Sequence, residues 1–160
     1  MTWTTAGQSP PLFLLGLLIG IWLPDIDLAI PYLPHRSGLT HSILPGLILL
    51  FIGQPRLAAG ILAATAIHLS ADMFPVSWRG SALIYLPLTG GLGLWSMAFL
   101  GLNVLAALLI AYHLMQRPAL DSLPMVTTGL LALAYLLLKE WSLSGFVVFA
   151  ACAWLVRRVA

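Results

Sequence analysis

Apolar residues run along this chain in long blocks separated by short polar punctuation, and that pattern predicts helices rather than strands. Ser9-Pro10-Pro11 reads as a helix start, with Ser9 as N-cap and Pro10 at the first helical position; the run Leu12 to Leu23 then stops at Pro24. A loop with Pro24, Pro31, Pro34 and Gly38 follows. Thr40 is placed to cap a second helix reaching Ile52, with a kink at Pro45-Gly46, and Gly53-Gln54-Pro55 turns the chain. A third helix is predicted over Arg56 to Phe74, halting at Pro75. After a polar stretch at 75–91, apolar segments span Leu92–Met115, Leu123–Leu138 and Leu143–Val156. Six helices result, or five if the first or second is re-entrant. The first two are short, about 20 Å against a hydrocarbon core of about 30 Å.

Composition decides what solvent these helices face. The chain has 160 residues, 61% of them hydrophobic and 8% charged, with a mean hydropathy of +1.01. Soluble domains carry about 25% charged residues. The expected fold class is therefore all-α, a polytopic transmembrane helical bundle forming one integral membrane domain over residues 1–160. Its chemistry lies in 9–91, and 92–160 is an apolar helical half. No Lys or Arg precedes Arg36, which argues against a cleaved signal peptide with a basic leader. Trp3, Trp22, Trp95, Trp141 and Trp154 fall near segment ends, as an interfacial belt requires. The lone Cys152 reads as a small core hydrophobe. Basic clusters with interleaved aromatics are absent, so nucleic acid is not an expected partner.

Against that background the carboxylates and imidazoles are concentrated. Leu23-Pro24-Asp25-Ile26-Asp27, His35-Arg36-Ser37-Gly38-Leu39-Thr40-His41-Ser42 and His68-x-x-x-Asp72 sit at three neighbouring segment ends. An up-down-up order brings the end of helix 1, the start of helix 2 and the end of helix 3 to one membrane face. His68 and Asp72, at i and i+4, share one side of their helix. Asp25, Asp27, His35, His41, His68 and Asp72 are the candidate metal ligands. Imidazole plus carboxylate without thiol suits zinc, or manganese or iron, and the number of ligands allows one to three ions. Alone, Pro-Asp-x-Asp is a common helix cap and His-x-x-x-Asp a common ion pair; together in a nearly uncharged chain they point to a metal. Arg36, Thr40 and Ser42 are candidate catalytic groups: a guanidinium for a phosphate, and hydroxyls at the amino end of helix 2. Arg79, beside Trp78, is a weaker candidate. Asn103 reads as an interhelical hydrogen-bonding residue, His113 as an interfacial anchor, and Lys139-Glu140 as a turn.

At these residues the chain resembles the YdjM-like family of membrane-bound, metal-dependent hydrolases. The resemblance rests on Leu23-Pro24-Asp25-x-Asp27, His35-Arg36, Gly38-x-Thr40-His41-Ser42 and His68-x-x-x-Asp72, and covers the first half of the chain. It departs where Ser37 separates His35-Arg36 from Gly38 and where Leu28 stands in place of a further His. The resemblance implies a prokaryotic integral membrane hydrolase distantly related to the zinc phospholipase C and P1 nuclease group. By that analogy His68 and Asp72 are ligands, with Asp25, Asp27 and His41 as companions. The expected activity is cleavage of a phosphoester in a membrane lipid or lipid-linked substrate by metal-activated water. A membrane metallo-amidase or peptidase, and a non-catalytic metal-binding or ion-transporting protein, are the alternatives. Arg56, Arg117, Arg157 and Arg158 against Arg36, Arg79 and Lys139 favour termini on the cytoplasmic side of the inner membrane and a metal site facing the outer side.

Overall fold

A computed structural model describes residues 10–75, 83–115 and 122–160 of the chain. The expectations attached to Trp3, Ser9, Trp78, Arg79 and Arg117 lie outside the described residues. Within them the chain is mostly helical, with six α-helices: α1 (Pro10–Gly20), α2 (Leu44–Phe51), α3 (Pro55–Met73), α4 (Trp95–Met115), α5 (Ser122–Leu133) and α6 (Leu143–Val159). A 3-10 helix (Pro24–Ala29) follows α1, and a π-helical segment (Ala134–Lys139) prolongs α5. The polar stretch before α4 holds a small element that the apolar pattern does not predict. It is an antiparallel hairpin of β1 (Tyr85–Leu86) and β2 (Gly90–Gly91), in the register Tyr85↔Gly91 and Leu86↔Gly90.

Proline sets several helix starts. Pro10, Pro45 and Pro55 lie in the first turn of α1, α2 and α3, where a missing N–H costs nothing. This corrects the reading of the second helix. Pro45-Gly46 opens α2 instead of kinking it, and residues 40–43 are left to a turn that serves the site.

The bundle is organised around α3. Every residue from Ala58 to Ala71 is buried, and α3 packs against α1, α2, α4, α5 and α6. A helix apolar on all sides belongs inside, and its alanine-rich surface lets the neighbours approach. The nearest is α1, which runs parallel to α3. A Cβ on Gly16 would stand 2.5 Å from the Leu57 carbonyl oxygen, and one on Gly60 would collide with the Phe13 carbonyl. Small residues four apart, Gly16 and Gly20 on α1 with Gly60 and Ala64 on α3, allow this contact. Because the two helices are parallel and in contact, their carboxyl ends finish together, which places Asp25 beside His68.

On α4, Asn103 bridges helices as its position implies: Oδ1 accepts from Ile43 N–H at 3.0 Å while Nδ2 donates to the Phe99 carbonyl at 2.8 Å. Among the described helices, α4 is the one long and apolar enough to cross a bilayer. α1 and α2, with 11 and 8 residues, are about 16 and 12 Å long at 1.5 Å per residue. Helix number agrees with the sequence reading; five or six full-length crossings do not follow from helix length.

Candidate metal centre

The site is built at the shared end of α1 and α3, closed over by the loop from His35 to Ser42. His68 comes from the last turns of α3. Its Nδ1 lies 2.9 Å from the Ile21 carbonyl, just past α1, which fixes the proton on Nδ1 and leaves a lone pair on Nε2. The fully buried His41 is held in the same way. Its Nδ1 faces Thr40 Oγ1 at 3.2 Å and Asp27 Oδ2 at 3.3 Å, so its Nε2 is also bare. Burial, followed by repulsion from His68, lowers the His41 pKa to about 3. The ring is neutral at physiological pH, the form that binds metal.

Both bare nitrogens lie beside Asp72, and that of His68 also lies beside Asp25. Asp72 Oδ2 lies 3.4 Å from His41 Nε2 and 3.6 Å from His68 Nε2, and Asp25 Oδ1 lies 3.6 Å from His68 Nε2. Asp25, His41 and His68 each offer a ligand atom within 4.8 Å of the others, close enough to hold a metal ion. The pairs at 3.4–3.6 Å are spaced so that one ion could bridge each of them. His41 Nε2 and Asp72 Oδ2 are buried with no hydrogen-bond partner, an arrangement costly for lone pairs unless a cation lies between them. Among the described residues this is the one group of donors that fits an ion.

The remaining predicted residues take supporting positions. Asp27 sits behind the imidazoles, 1% exposed. Its Oδ2 accepts from Ser37 N–H at 2.9 Å and Thr40 Oγ1–H at 3.0 Å, and its Oδ1 lies 3.3 Å from His35 Nδ1. Burial raises its pKa, but the Ser37 N–H, His35, His41 and Thr40 together outweigh this and hold it below the usual carboxylate value. Its oxygens thus face protein groups, and it orients His41 as an outer carboxylate orients a ligating imidazole. His35 is half-exposed, paired with Asp27 and edge-on to the His41 ring with centroids 6.1 Å apart.

Thr40 does not cap α2, because its hydroxyl is bonded to Asp27. Ser42 Oγ donates to the Leu39 carbonyl at 3.3 Å and accepts from Leu44 N–H at 3.2 Å. At the amino end of α2 the N–H groups of Ile43 and Leu44 are bonded to Asn103 and Ser42, and Pro45 has none.

Arg36 stands apart from this framework and faces the site. Its φ of 63° is a left-handed conformation worth about 1–2 kcal/mol of strain. Three bonds impose it: Tyr85 N–H to the Arg36 carbonyl (3.0 Å), Gly38 N–H to the Tyr85 carbonyl (2.8 Å), and Ser37 N–H to Asp27. The hairpin is thus a clamp that sets Arg36 Nε 3.6 Å from Asp72 Oδ1.

A cleft of about 390 Å³ opens beside the donors, lined by Asp25, Arg36, His68, Asp72, Tyr135 and Glu140 among others. Tyr135 was not singled out by sequence. Its hydroxyl lies 3.1 Å from His68 Nδ1, and it belongs to the π-helical segment, a feature that recurs at functional sites. A tyrosine within an apolar run carries no such signal; only the polar break at Lys139-Glu140 marks the region. Compared with protein-family models, curated proteins and solved structures, the chain matches none.

Proposed function

We propose that this chain is a membrane-embedded, metal-dependent hydrolase that cleaves a phosphoester of a lipid or lipid-linked molecule. The observation that carries the reading is that Asp25, His41 and His68 bring ligand atoms within 4.8 Å of one another, with Asp72 beside both imidazoles and Arg36 alongside in the cleft that Asp25, His68 and Asp72 line. Asp25, His41 and His68 would hold the ion, with Asp72 adjacent as a further donor, and their nitrogen and oxygen atoms would favour zinc, with manganese or iron as alternatives. The ion supplies Lewis acidity at the phosphoryl oxygens and lowers the pKa of water.

The rest is the work of the chain. Arg36, fixed against Asp72, binds the non-bridging phosphate oxygens. Asp27 keeps His41 in the tautomer that ligates, and Ile21 does the same for His68. Glu140, the cleft carboxylate not directed at the imidazoles, is paired with Lys139, whose Nζ lies 2.8 Å from its Oε1. Thr40 and Ser42 shape the loop and touch no substrate.

Several observations support the membrane part. The surface is rich in bare apolar side chains on α1, α5 and α6, including Leu18, Leu130 and Leu143. The short α1 and α2 let the site sit below the interface, where a headgroup enters sideways. The basic residues Arg56, Arg157 and Arg158 occupy the end of the bundle away from the metal donors, which favours a cytoplasmic basic end and an outward-facing site. The motif order that resembles the YdjM-like family points the same way. Transport is less well supported: among the described residues the acidic groups and three of the four histidines gather at one end, and the mid-span polar residue of α4, Asn103, is already bonded on both sides.

Purified protein tests this directly. Elemental analysis should find stoichiometric transition metal, and incubation with a total lipid extract should release phosphate or a phosphorylated headgroup. Arg36→Ala should keep the metal and lose most turnover. A folded sample without metal would overturn the reading, and metal without turnover would replace it with a non-catalytic binding role.

A further inference from the structure

A second and larger cavity lies at the opposite end of the bundle, about 820 Å³ against about 390 Å³ for the metal-side cleft. It is an open groove lined by Phe13 of α1, Ala63 of α3, the second half of α4, the start of α5 and the Phe149–Arg157 stretch of α6. Phe13, Leu108, Met125 and Phe149 give it apolar walls. Among the described residues that line it, Arg157 is the one charged side chain and there is no carboxylate. Beside it the Arg158 guanidinium stacks 5.2 Å over the Trp154 ring, and Arg56 in the first turn of α3 lies at the same end.

The volume falls in the range of small-molecule sites, about 300–1,000 Å³. The walls suit hydrocarbon, and the rim suits an anion. A purely apolar occupant would make no use of the arginine, and a water-soluble anion would make no use of the walls. Basic pockets between transmembrane helices on the cytoplasmic side are where acidic lipid headgroups bind. We propose that this cavity takes one acyl chain of an anionic glycerophospholipid, with its phosphate against Arg157. The site is distinct from the proposed catalytic cleft. It rests on the membrane reading and is independent of hydrolysis.

Delipidated protein in detergent, titrated with dioleoyl phosphatidylglycerol or dioleoyl phosphatidylcholine and followed by native mass spectrometry, tests it. One phosphatidylglycerol should bind per chain, about fivefold more tightly than phosphatidylcholine, the contribution of one arginine near an acidic lipid. Arg157→Gln should remove that preference. Gly129→Leu, at a cavity-lining position where an added Cβ meets nothing within 4 Å, should fill the space and weaken both lipids. Circular dichroism and metal content on the same samples report folding and the state of the other site, so failure here is separable from failure of the hydrolase reading. Equal affinity for the two lipids, or wild-type binding by folded Gly129→Leu, would overturn the proposal.

Discussion

His41 Nε2 lies 3.4 Å from Asp72 Oδ2, and neither of these buried atoms has a hydrogen-bond partner. With the His41 proton on Nδ1, two lone pairs face each other. Asp72→Asn puts an N–H opposite Nε2 and closes the pair without a cation. The variant should therefore lose metal yet, in chelator, melt above the wild type by the equivalent of about 1–2 kcal/mol. Thermal unfolding with and without chelator checks both halves, and an Asn variant that is less stable than the chelated wild type would contradict the lone-pair assignment.

Asp27 supports the ion through His41 and does not face it. Asp27→Asn keeps the shape but weakens the hold on the Thr40 hydroxyl and the His41 ring. Metal affinity should fall about 10–100-fold, measured by competition with a chromophoric chelator, where His68→Ala should abolish binding.

Acid should loosen the metal-free protein. The His41 pKa is depressed to about 3 in the fold against about 6.5 in the unfolded chain. Between those values the unfolded chain binds a proton that the folded one excludes. Stability is thus fully present above about 6.5 and declines as pH falls toward 3, by up to about 1.4 kcal/mol per unit. Asp27, held below its ordinary value, adds a further loss at the acid end. Chelated His41→Gln should show a flatter profile in pH-dependent unfolding.

The contact between α1 and α3 should be as decisive as any ligand. Gly60→Ala would force the helices apart at the Phe13 carbonyl, whereas Gly129→Ala meets open space. The first should cost about 1–3 kcal/mol and also weaken metal binding, because Ile21 and Asp25 move with α1. The second should change neither in parallel melting and metal-content measurements.

Much of the site was legible because helix order is a strong constraint. Three helices of alternating direction must bring Asp25, His41 and His68 to one end, and the structure places them within reach of one ion. What residue types cannot separate is a ligand from its support. Asp25 and Asp27 are two positions apart, yet the 3-10 turn aims one at His68 and the other at Ser37 and Thr40. The start of α2 was misplaced because Thr40 and Pro45 are both good helix openers, and the buried Asp27 carboxylate competes for the Thr40 hydroxyl. The hairpin at Tyr85 and the π-helical turn at Tyr135 had no signal in the hydrophobic pattern, since each depends on what lies opposite in space.

The Arg36 clamp also carries a consequence for the order of assembly. The metal donors are all encoded by residue 72, but the loop bearing Arg36 is latched by Tyr85, and the cleft is walled by Tyr135 and Glu140. During synthesis the ion-binding groups can therefore meet before the anion-binding arginine is locked in place, and that before the cleft exists. On the proposed function, a nascent chain would load its metal early and stay unable to act on lipid until its last helices dock.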